Sequence, residues 1–141
     1  MERQIETHLK QEDVRFTTGR RLVVAALAGS EGPLSAAELH DVIGERVPLS
    51  SLYRSLSVLE DAGVLVPHFG LKGVTRYELA DWIQGHHHHL VCVDCGSVED
   101  VLLPPEYEQR IQTLVDEIGV HARFAPTDHT LEIEGRCAKC T

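Results

Sequence analysis

The chain has 141 residues, 43% of them hydrophobic and 25% charged, which is enough for one globular domain or two small ones. Its formal net charge of −9 argues, taken as a total, against nucleic-acid binding. No apolar run approaches the length of a membrane span, and residues 1–6 are charged where a signal peptide would be apolar. We therefore expect a cytoplasmic protein that does not bind membranes.

The acidic residues are unevenly distributed along the chain. Through Asp81, nine basic residues accompany twelve acidic ones, whereas from Trp82 onward four accompany ten. The first half can therefore carry local basic clusters that the total hides. Bound divalent cations would offset part of the charge of the second half.

Four amphipathic helices are predicted in the first 62 residues. The first covers residues 5–14, and each of the other three begins at a side chain that accepts the free N–H groups of a helix start. These predicted N-caps are Thr17 or Thr18, Ser35 with Glu38 in a capping box, and Ser50 or Ser51.

The fourth helix has one apolar face and one polar face. Leu52, Leu56 and Leu59 follow the i, i+4, i+7 spacing of a buried stripe, which leaves Arg54 on the other side. Two helices across the short break at residues 44–48, the second with polar groups outward, are typical of a helix-turn-helix. A helical hairpin with a solvated polar face has the same pattern.

A β-hairpin is predicted directly after these helices, because residues 64–69 and 74–79 alternate and are rich in β-branched side chains. A hairpin in this place is typical of the wing of a winged-helix domain. We assign residues 1–80 to a DNA-binding domain and residues 81–85 to a hinge. The candidate contacts to phosphates and bases are Arg15, Arg20, Ser51, Tyr53, Arg54, Ser57, Lys72 and Arg76.

All four cysteines lie in two pairs of identical spacing, Cys92 with Cys95 and Cys137 with Cys140. This spacing lets two thiolates from one tight turn reach the same ion, and two such turns complete the tetrahedron that zinc prefers. Disulfides or redox-active dithiols share the spacing, but paired cysteines in a cytosolic protein favour metal. We predict a structural zinc site with four thiolate ligands.

Four consecutive histidines, His86 to His89, precede the first cysteine pair. If residues 86–91 form a strand, alternation sends His86 and His88 to one face and His87 and His89 to the other. Each face then offers two nitrogen ligands, which predicts further metal sites on opposite sides of one strand. A purification tag or a solvated loop is the other interpretation, but a tag lies at a terminus.

The rest of the second half predicts a small α/β unit. Its predicted elements are a strand at 98–102, a helix that enters at 104–105 and ends at Gly119, and strands at 122–124 and 129–134. A unit covering only residues 86–141 cannot bury a large core, so zinc and a partner subunit are the expected supports.

Several motifs occur in a fixed order: Ser-Leu-Tyr-Arg-Ser-Leu at 51–56, Arg-Tyr-Glu-Leu at 76–79, the histidine run, and the two Cys-x-x-Cys pairs. In this order they resemble the ferric uptake regulator (Fur) family over nearly the whole chain. The resemblance implies an α+β fold with an N-terminal winged helix-turn-helix and a C-terminal α/β dimerisation domain. It implies a metal-responsive repressor that binds palindromic, double-stranded operator DNA as a homodimer and has no small organic substrate.

The resemblance also implies roles for individual residues. Tyr53 and Arg54 correspond to residues that enter the major groove. The four cysteines correspond to structural zinc ligands. The other implied ligands are His86, His88, Glu108 and His129 for a second site in the dimerisation domain, and His87, His89 and Glu78 with His68 or Asp81 for a sensing site between the domains. His121 is a reserve ligand because it lies close to His129 in sequence.

The sensed metal is a divalent cation. Ligands from both sides of a hinge are satisfied together in only one domain arrangement, so a bound metal would select it. A set of nitrogen and oxygen donors accepts zinc, ferrous iron, manganese or nickel. The resemblance gives mixed signals, because iron-sensing relatives commonly carry a histidine near Pro33 or Leu34, and zinc-sensing relatives a cysteine near residues 79–81.

The tetra-histidine run resembles zinc-sensing members, so we favour zinc and a role in controlling zinc uptake. An iron-, manganese- or nickel-responsive or peroxide-sensing member is the alternative. A zinc-dependent hydrolase or a thiol oxidoreductase would belong to a different class. Because no general base or substrate-orienting motif appears, we expect the protein not to be an enzyme.

Overall fold

The computed structural model describes all of residues 1–141. The first half contains four helices and a three-stranded sheet. The helices are α1 (Glu2–Gln11), α2 (Thr18–Ala28), α3 (Ala36–Ile43) and α4 (Leu49–Asp61), and the strands are β1 (Leu34–Ser35), β2 (Leu65–Phe69) and β3 (Thr75–Leu79). β3 lies between β1 and β2 and is antiparallel to both, so the β2–β3 hairpin is the wing of a winged helix.

This half holds the main hydrophobic core. Sixteen buried apolar residues form one cluster that runs from Ile5 to Leu79, and the α4 stripe of Leu52, Leu56 and Leu59 lies at its centre. The polar face of α4 is thereby turned outward, as the spacing predicted. Ser35 and Glu38 form the predicted capping box, and Thr17 caps α2.

Two predicted helix starts are wrong. α1 begins three residues before the predicted residue 5 and ends at Gln11. α4 begins at Leu49 after Pro48, which has no side-chain cap, rather than at a serine cap. Proline fixes a backbone angle suited to a helix start, so α4 needs no serine and Ser50 and Ser51 lie within its exposed first turn.

The second half forms a mixed sheet and one long helix. Its elements are α5 (Asp81–Gln84), β4 (His88–Cys92), β5 (Val98–Val101), α6 (Pro105–Ala122) and β6 (Glu132–Gly135). β4 is central, antiparallel to β5 and parallel to β6. No helix combines the length and the apolar character needed to span a bilayer. The predicted α+β fold class is confirmed.

α6 passes through the predicted stop at Gly119 and ends at Ala122, where Arg123 follows in a left-handed conformation. An added Cβ at Gly119 would lie 2.7 Å from the Phe124 carbonyl oxygen, so this glycine admits the returning chain instead of ending the helix. The strand predicted at 122–124 is absent because α6 extends through Ala122. The last strand is shorter than predicted.

The predicted hinge at 81–85 contains the short helix α5, which packs on the first half of the chain. The Trp82 indole N–H donates to the Gly63 carbonyl at 2.9 Å, and Ile83 packs against the main core. Gly85 then has φ +89°, a value that favours glycine. The hinge remains a prediction, and Gly85 is the point at which the chain leaves the first half.

Candidate metal centres and nucleic-acid surface

Three groups of metal-binding side chains converge in the folded chain. Within each group the donor atoms all lie within 4.8 Å of one another. The groups are Cys92, Cys95, Cys137 and Cys140 (the cysteine cluster), Glu78, His87, His89 and Asp100 (the interdomain cluster), and His86, His88, Glu108 and His129 (the α6 cluster).

The cysteine cluster joins the end of β4 to the end of the chain. The backbone N–H groups of Cys95 and Cys137 each lie 3.4 Å from the Cys92 sulfur and lower the pKa of that thiol to about 6. Contacts with the sulfur atoms of Cys137 and Cys92 raise the pKa of Cys140 to about 12. All four cysteines are free, and their donor chemistry fits zinc, whose charge would allow four thiolates to coexist.

The interdomain cluster takes one ligand from the wing and three from the second half. Glu78 lies on β3, and one of its oxygens is 2.9 Å from the Nε2 atoms of both His87 and His89. Asp100 on β5 completes the group at 3.6 Å from His87 and 3.5 Å from His89. This register follows from the β4–β5 pairing, which sets Asp100 opposite His89.

The charges in this cluster depend on one another. Burial alone would raise the pKa of Glu78, but hydrogen bonds from His89 and His87 outweigh burial and hold it below its usual value. Burial lowers the pKa of His87, but the hydrogen bonds to Glu78 and the Gly85 carbonyl, together with the charges of Glu78 and Asp100, outweigh burial and raise it. Burial raises the pKa of Asp100, whose Oδ1 atom has no hydrogen-bond partner. A buried carboxylate oxygen without a partner, beside two imidazoles, fits a divalent cation.

The α6 cluster lies on the opposite face of β4. One Glu108 oxygen is 2.8 Å from the Nε2 atom of His88. The other is 3.2 Å from the Nε2 atoms of both His86 and His129. The His88 side chain is only 1% exposed, and its Nδ1 atom has no partner. Burial opposes ionisation of Glu108, but its interactions with His88, His86 and His129 together outweigh burial and lower its pKa. Three imidazoles and one carboxylate form a set that fits zinc.

The structure separates the four histidines in the way that alternation predicts, although β4 begins only at His88. The sequence prediction missed Asp100. Its signal was a carboxylate two residues after Val98 in a predicted strand, but nothing in the sequence specified which strand would pair with the histidine run. His121, the reserve ligand, is exposed on the last turn of α6, outside all three groups.

His68 and Asp81, the predicted completing ligands, lie outside the interdomain cluster. His68 is on β2, its Nε2 atom is 2.7 Å from Glu132 on β6, and its ring meets that of His89 edge-on at 4.7 Å. Asp81 is exposed at the start of α5. Asp100 joins the group because β5 brings its carboxylate there, while the His68 Nε2 atom is engaged by Glu132 and its Nδ1 atom is buried without a partner.

The exposed face of α4 is the candidate nucleic-acid surface. Tyr53 and Arg54 point outward on this face, and Arg54 makes no ion pair. Ser51 and Ser57 are exposed beside them. Two other predicted contacts lie at the start of α2: Arg15 precedes the helix and is exposed, and the guanidinium of Arg20, in the first turn, donates to the Arg15 carbonyl at 2.7 Å.

Two predicted contacts in the wing have partners within the molecule. Arg76 lies on the central strand β3, where its Nε atom is 3.2 Å from a Glu38 oxygen and its side chain is mostly buried. Lys72 at the wing tip donates to the Asp94 carbonyl, 3.0 Å away, in the turn of the cysteine cluster. In this arrangement the Arg76 side chain is held against Glu38, whereas the exposed Lys72 ammonium keeps further donors for a phosphate. Both stay predicted contacts.

The sequence model of the Ferric uptake regulator family matches residues 11–134. The ferric uptake regulation protein of Legionella pneumophila is 36% identical over 137 residues, covering 94% of this chain and 95% of the relative. That of Bacillus subtilis (strain 168) is 31% identical over 142 residues, covering 96% and 91%.

Solved structures give the same result. The Vibrio cholerae ferric uptake regulator is 32% identical, with a TM-score of 0.71 over 94% of this chain and 98% of that one. The Helicobacter pylori ferric uptake regulator, described as having three functional metal binding sites, is 26% identical, with a TM-score of 0.74 over 98% and 89%. The chain belongs to the ferric uptake regulator family of metal-responsive transcriptional regulators.

Proposed function

We propose that this protein is a metal-dependent transcriptional repressor of metal-homeostasis genes. It binds palindromic operator DNA as a homodimer in the cytoplasm, where its thiols stay reduced. The observation that carries the proposal is the interdomain cluster, because Glu78 belongs to the winged helix and the other three ligands belong to the second half. A cation held by all four would stabilise the one domain arrangement in which they meet.

The three clusters have different roles in this proposal. Zinc in the cysteine cluster supports a second half that has few buried residues of its own. The interdomain cluster senses the metal, and the α6 cluster ties α6 to β4. Because each cluster supplies four protein donors, a tetrahedral ion in it would have no open position for a reacting water, which supports a regulator without enzymatic activity.

We propose zinc as the sensed metal, with the control of zinc uptake as its consequence. The four distances between carboxylate oxygens and imidazole nitrogens range from 2.9 to 3.6 Å. Two ligand atoms of a tetrahedral zinc ion lie roughly 3.3 Å apart, which falls within this range. Ferrous iron, manganese and nickel accept the same donors. Competitive titration under anaerobic conditions ranks the four metals, and tighter binding of iron or manganese at cellular concentrations would refute the zinc assignment.

The function is tested by mobility shift on operator DNA with and without a chelator. We expect His87→Ala to abolish metal-dependent DNA binding while the fold is kept, because it removes a sensing ligand. Cys92→Ser should instead reduce solubility and dimerisation, because it opens the structural site. His121→Ala is the matched control, since this histidine is exposed and outside the clusters. Equal and mild effects of His87→Ala and Cys92→Ser would contradict this division of roles.

A further inference from the structure

The loop between α2 and β1 contacts the edge of β5. The Asp100 backbone N–H donates to the Glu31 carbonyl oxygen across a distance of 2.9 Å. Asp100 therefore faces two ways: its carboxylate enters the interdomain cluster, and its backbone binds the winged-helix half. Because β4 pairs with the other side of β5, this contact also satisfies a donor on what would otherwise be an open sheet edge.

Gly32, the next residue in this loop, has no room for a side chain. An added Cβ would lie 2.2 Å from the Val98 carbonyl oxygen and 3.2 Å from the Glu99 Cα, and both are backbone atoms that cannot turn aside. Gly32 does not have a positive φ, so the backbone conformation does not require glycine here. The requirement comes from the close approach of the two halves.

The loop is shaped for this approach by Ser30. The Ser30 hydroxyl donates to the Gly32 carbonyl and accepts the Gly32 N–H, whose nitrogen is 3.2 Å away. These bonds hold residues 30–32 in a tight turn. The contact surface is therefore formed by local bonds within the first half before it meets β5.

We propose that the Ser30–Gly32 turn is a metal-independent docking contact that positions Asp100 and aligns the two halves for metal binding. Two separate contacts are needed to fix one body against another when the chain leaves the first half at a single glycine, Gly85. The wing provides one of them, through Glu78, the His68–Glu132 pair and the hydrogen bond from Lys72 to the Asp94 carbonyl, and the turn provides the other. Their combination brings the ligands together before the metal arrives, so less binding free energy is spent on ordering.

The alignment of the halves for metal binding rests on the proposed function, whereas the docking contact between the turn and β5 does not. Two variants separate the docking contact from a general effect of adding a methyl group in this loop. Gly32→Ala places a methyl group against β5. Gly29→Ala is the matched control, because its Cβ would meet only the Ala25 carbonyl oxygen of its own helix at 3.6 Å, an ordinary contact distance.

The first measurement is amide hydrogen exchange of Asp100 in full-length protein that has zinc in the cysteine cluster and no sensed metal. We expect slow exchange in the wild type and in Gly29→Ala, and exchange at least tenfold faster in Gly32→Ala. Equal exchange in the two variants would overturn the proposal. If Gly32→Ala does not fold, Ser30→Ala provides the same test by loosening the turn, with the same expected direction.

The second measurement is competitive metal titration with zinc as the probe. We expect Gly32→Ala to weaken the interdomain site at least tenfold and leave the zinc content of the cysteine cluster unchanged. An unchanged interdomain affinity, with Asp100 exchange accelerated, would refute the positioning role. Wild-type protein that bound DNA equally with and without metal would refute the proposed function, and the exchange comparison would still decide the docking contact.

Discussion

Asp100 is the residue whose contribution depends most strongly on whether a metal is present. Its Oδ1 atom is buried without a hydrogen-bond partner, and burial raises the pKa of its carboxyl group. Glu78, a second carboxylate, belongs to the same cluster. Without metal, His87 and His89 offset the charge of Glu78, but Asp100 shares a poorly hydrated site with that carboxylate, which is unfavourable for an ionised Asp100. With metal, both become ligands.

We therefore expect Asp100→Asn to have opposite effects in the two states. In metal-free protein it should raise the free energy of unfolding by about 1 kcal/mol, because a buried charge is removed. In titrations it should weaken the interdomain site at least about tenfold, because an amide is a poorer ligand than a carboxylate. Urea unfolding and competitive titration measure the two effects.

Glu99→Gln is the control for this prediction. It makes the same change in charge at an exposed position one residue earlier on β5. We expect almost no effect on stability or metal affinity. A loss of stability in metal-free Asp100→Asn would indicate that the carboxylate is compensated by groups of the protein, and the role assigned to Asp100 would be wrong.

Among the elements, α5 shows what local sequence can and cannot predict. Residues 81–85 have mixed polarity and end in glycine, which predicted a hinge. The Trp82–Gly63 hydrogen bond and the packing of Ile83 attach α5 to the first half. Such contacts join residues far apart in sequence, so composition did not reveal them. The same limit explains Asp100, whose place depends on strand register, and Gly119, which accommodates a returning chain.

The elements that local rules did predict have their causes within a few residues. The Ser35–Glu38 capping box, the α4 stripe and the alternation of the four histidines each depend on neighbours three or four positions away at most. Of these features, the alternation was enough to place His87 and His89 on one face and His86 and His88 on the other, whereas Glu78, Glu108 and His129 were implied by the resemblance to the family. The fourth interdomain ligand required the pairing of β4 with β5.

Gly85 joins α5 to the metal-binding half in a backbone conformation that other residues rarely adopt. Its φ of +89° and ψ of 170° lie in a region that is open almost only to glycine. We expect Gly85→Ala to lower the free energy of unfolding by about 1 to 3 kcal/mol, as measured with urea. Gly135→Ala is the control, because that position has open space and no positive φ. Equal stability of the two variants would show that Gly85 is not strained by a side chain.

On the surface of the whole molecule, α6 and β6 carry apolar side chains that no other part of the chain covers. Leu114 and Ile118 lie on α6, and both side chains are more than half exposed, while Gly119 is the one buried residue of this 18-residue helix. β6 is an edge strand whose Ile133 is also exposed. Exposed apolar residues on a helix and on an edge strand of an otherwise acidic half indicate an interface, and a second copy of the same half is the partner that the proposed dimer requires.

We expect Ile118→Asp to convert the protein to a monomer at about 10 µM in sedimentation velocity, because a buried carboxylate would face its symmetry mate across the interface. Operator binding should be lost with it, since a palindrome is read by two copies of α4 held at a fixed spacing. Zinc content of the cysteine cluster should stay the same, which distinguishes dissociation from unfolding.

The comparison variant is Val42→Asp, which introduces the same charge at a side chain of equal exposure, 59% against 55% for Ile118, on α3 of the winged-helix half. It should remain dimeric, because it lies away from α6. If the Ile118→Asp variant stayed dimeric, α6 would be excluded as the dimer contact. The open edge of β6 would then be the next surface to test. The expected pair of results would assign the dimer contact to the acidic second half. The dimer of that half would then set the spacing of the two DNA-binding halves.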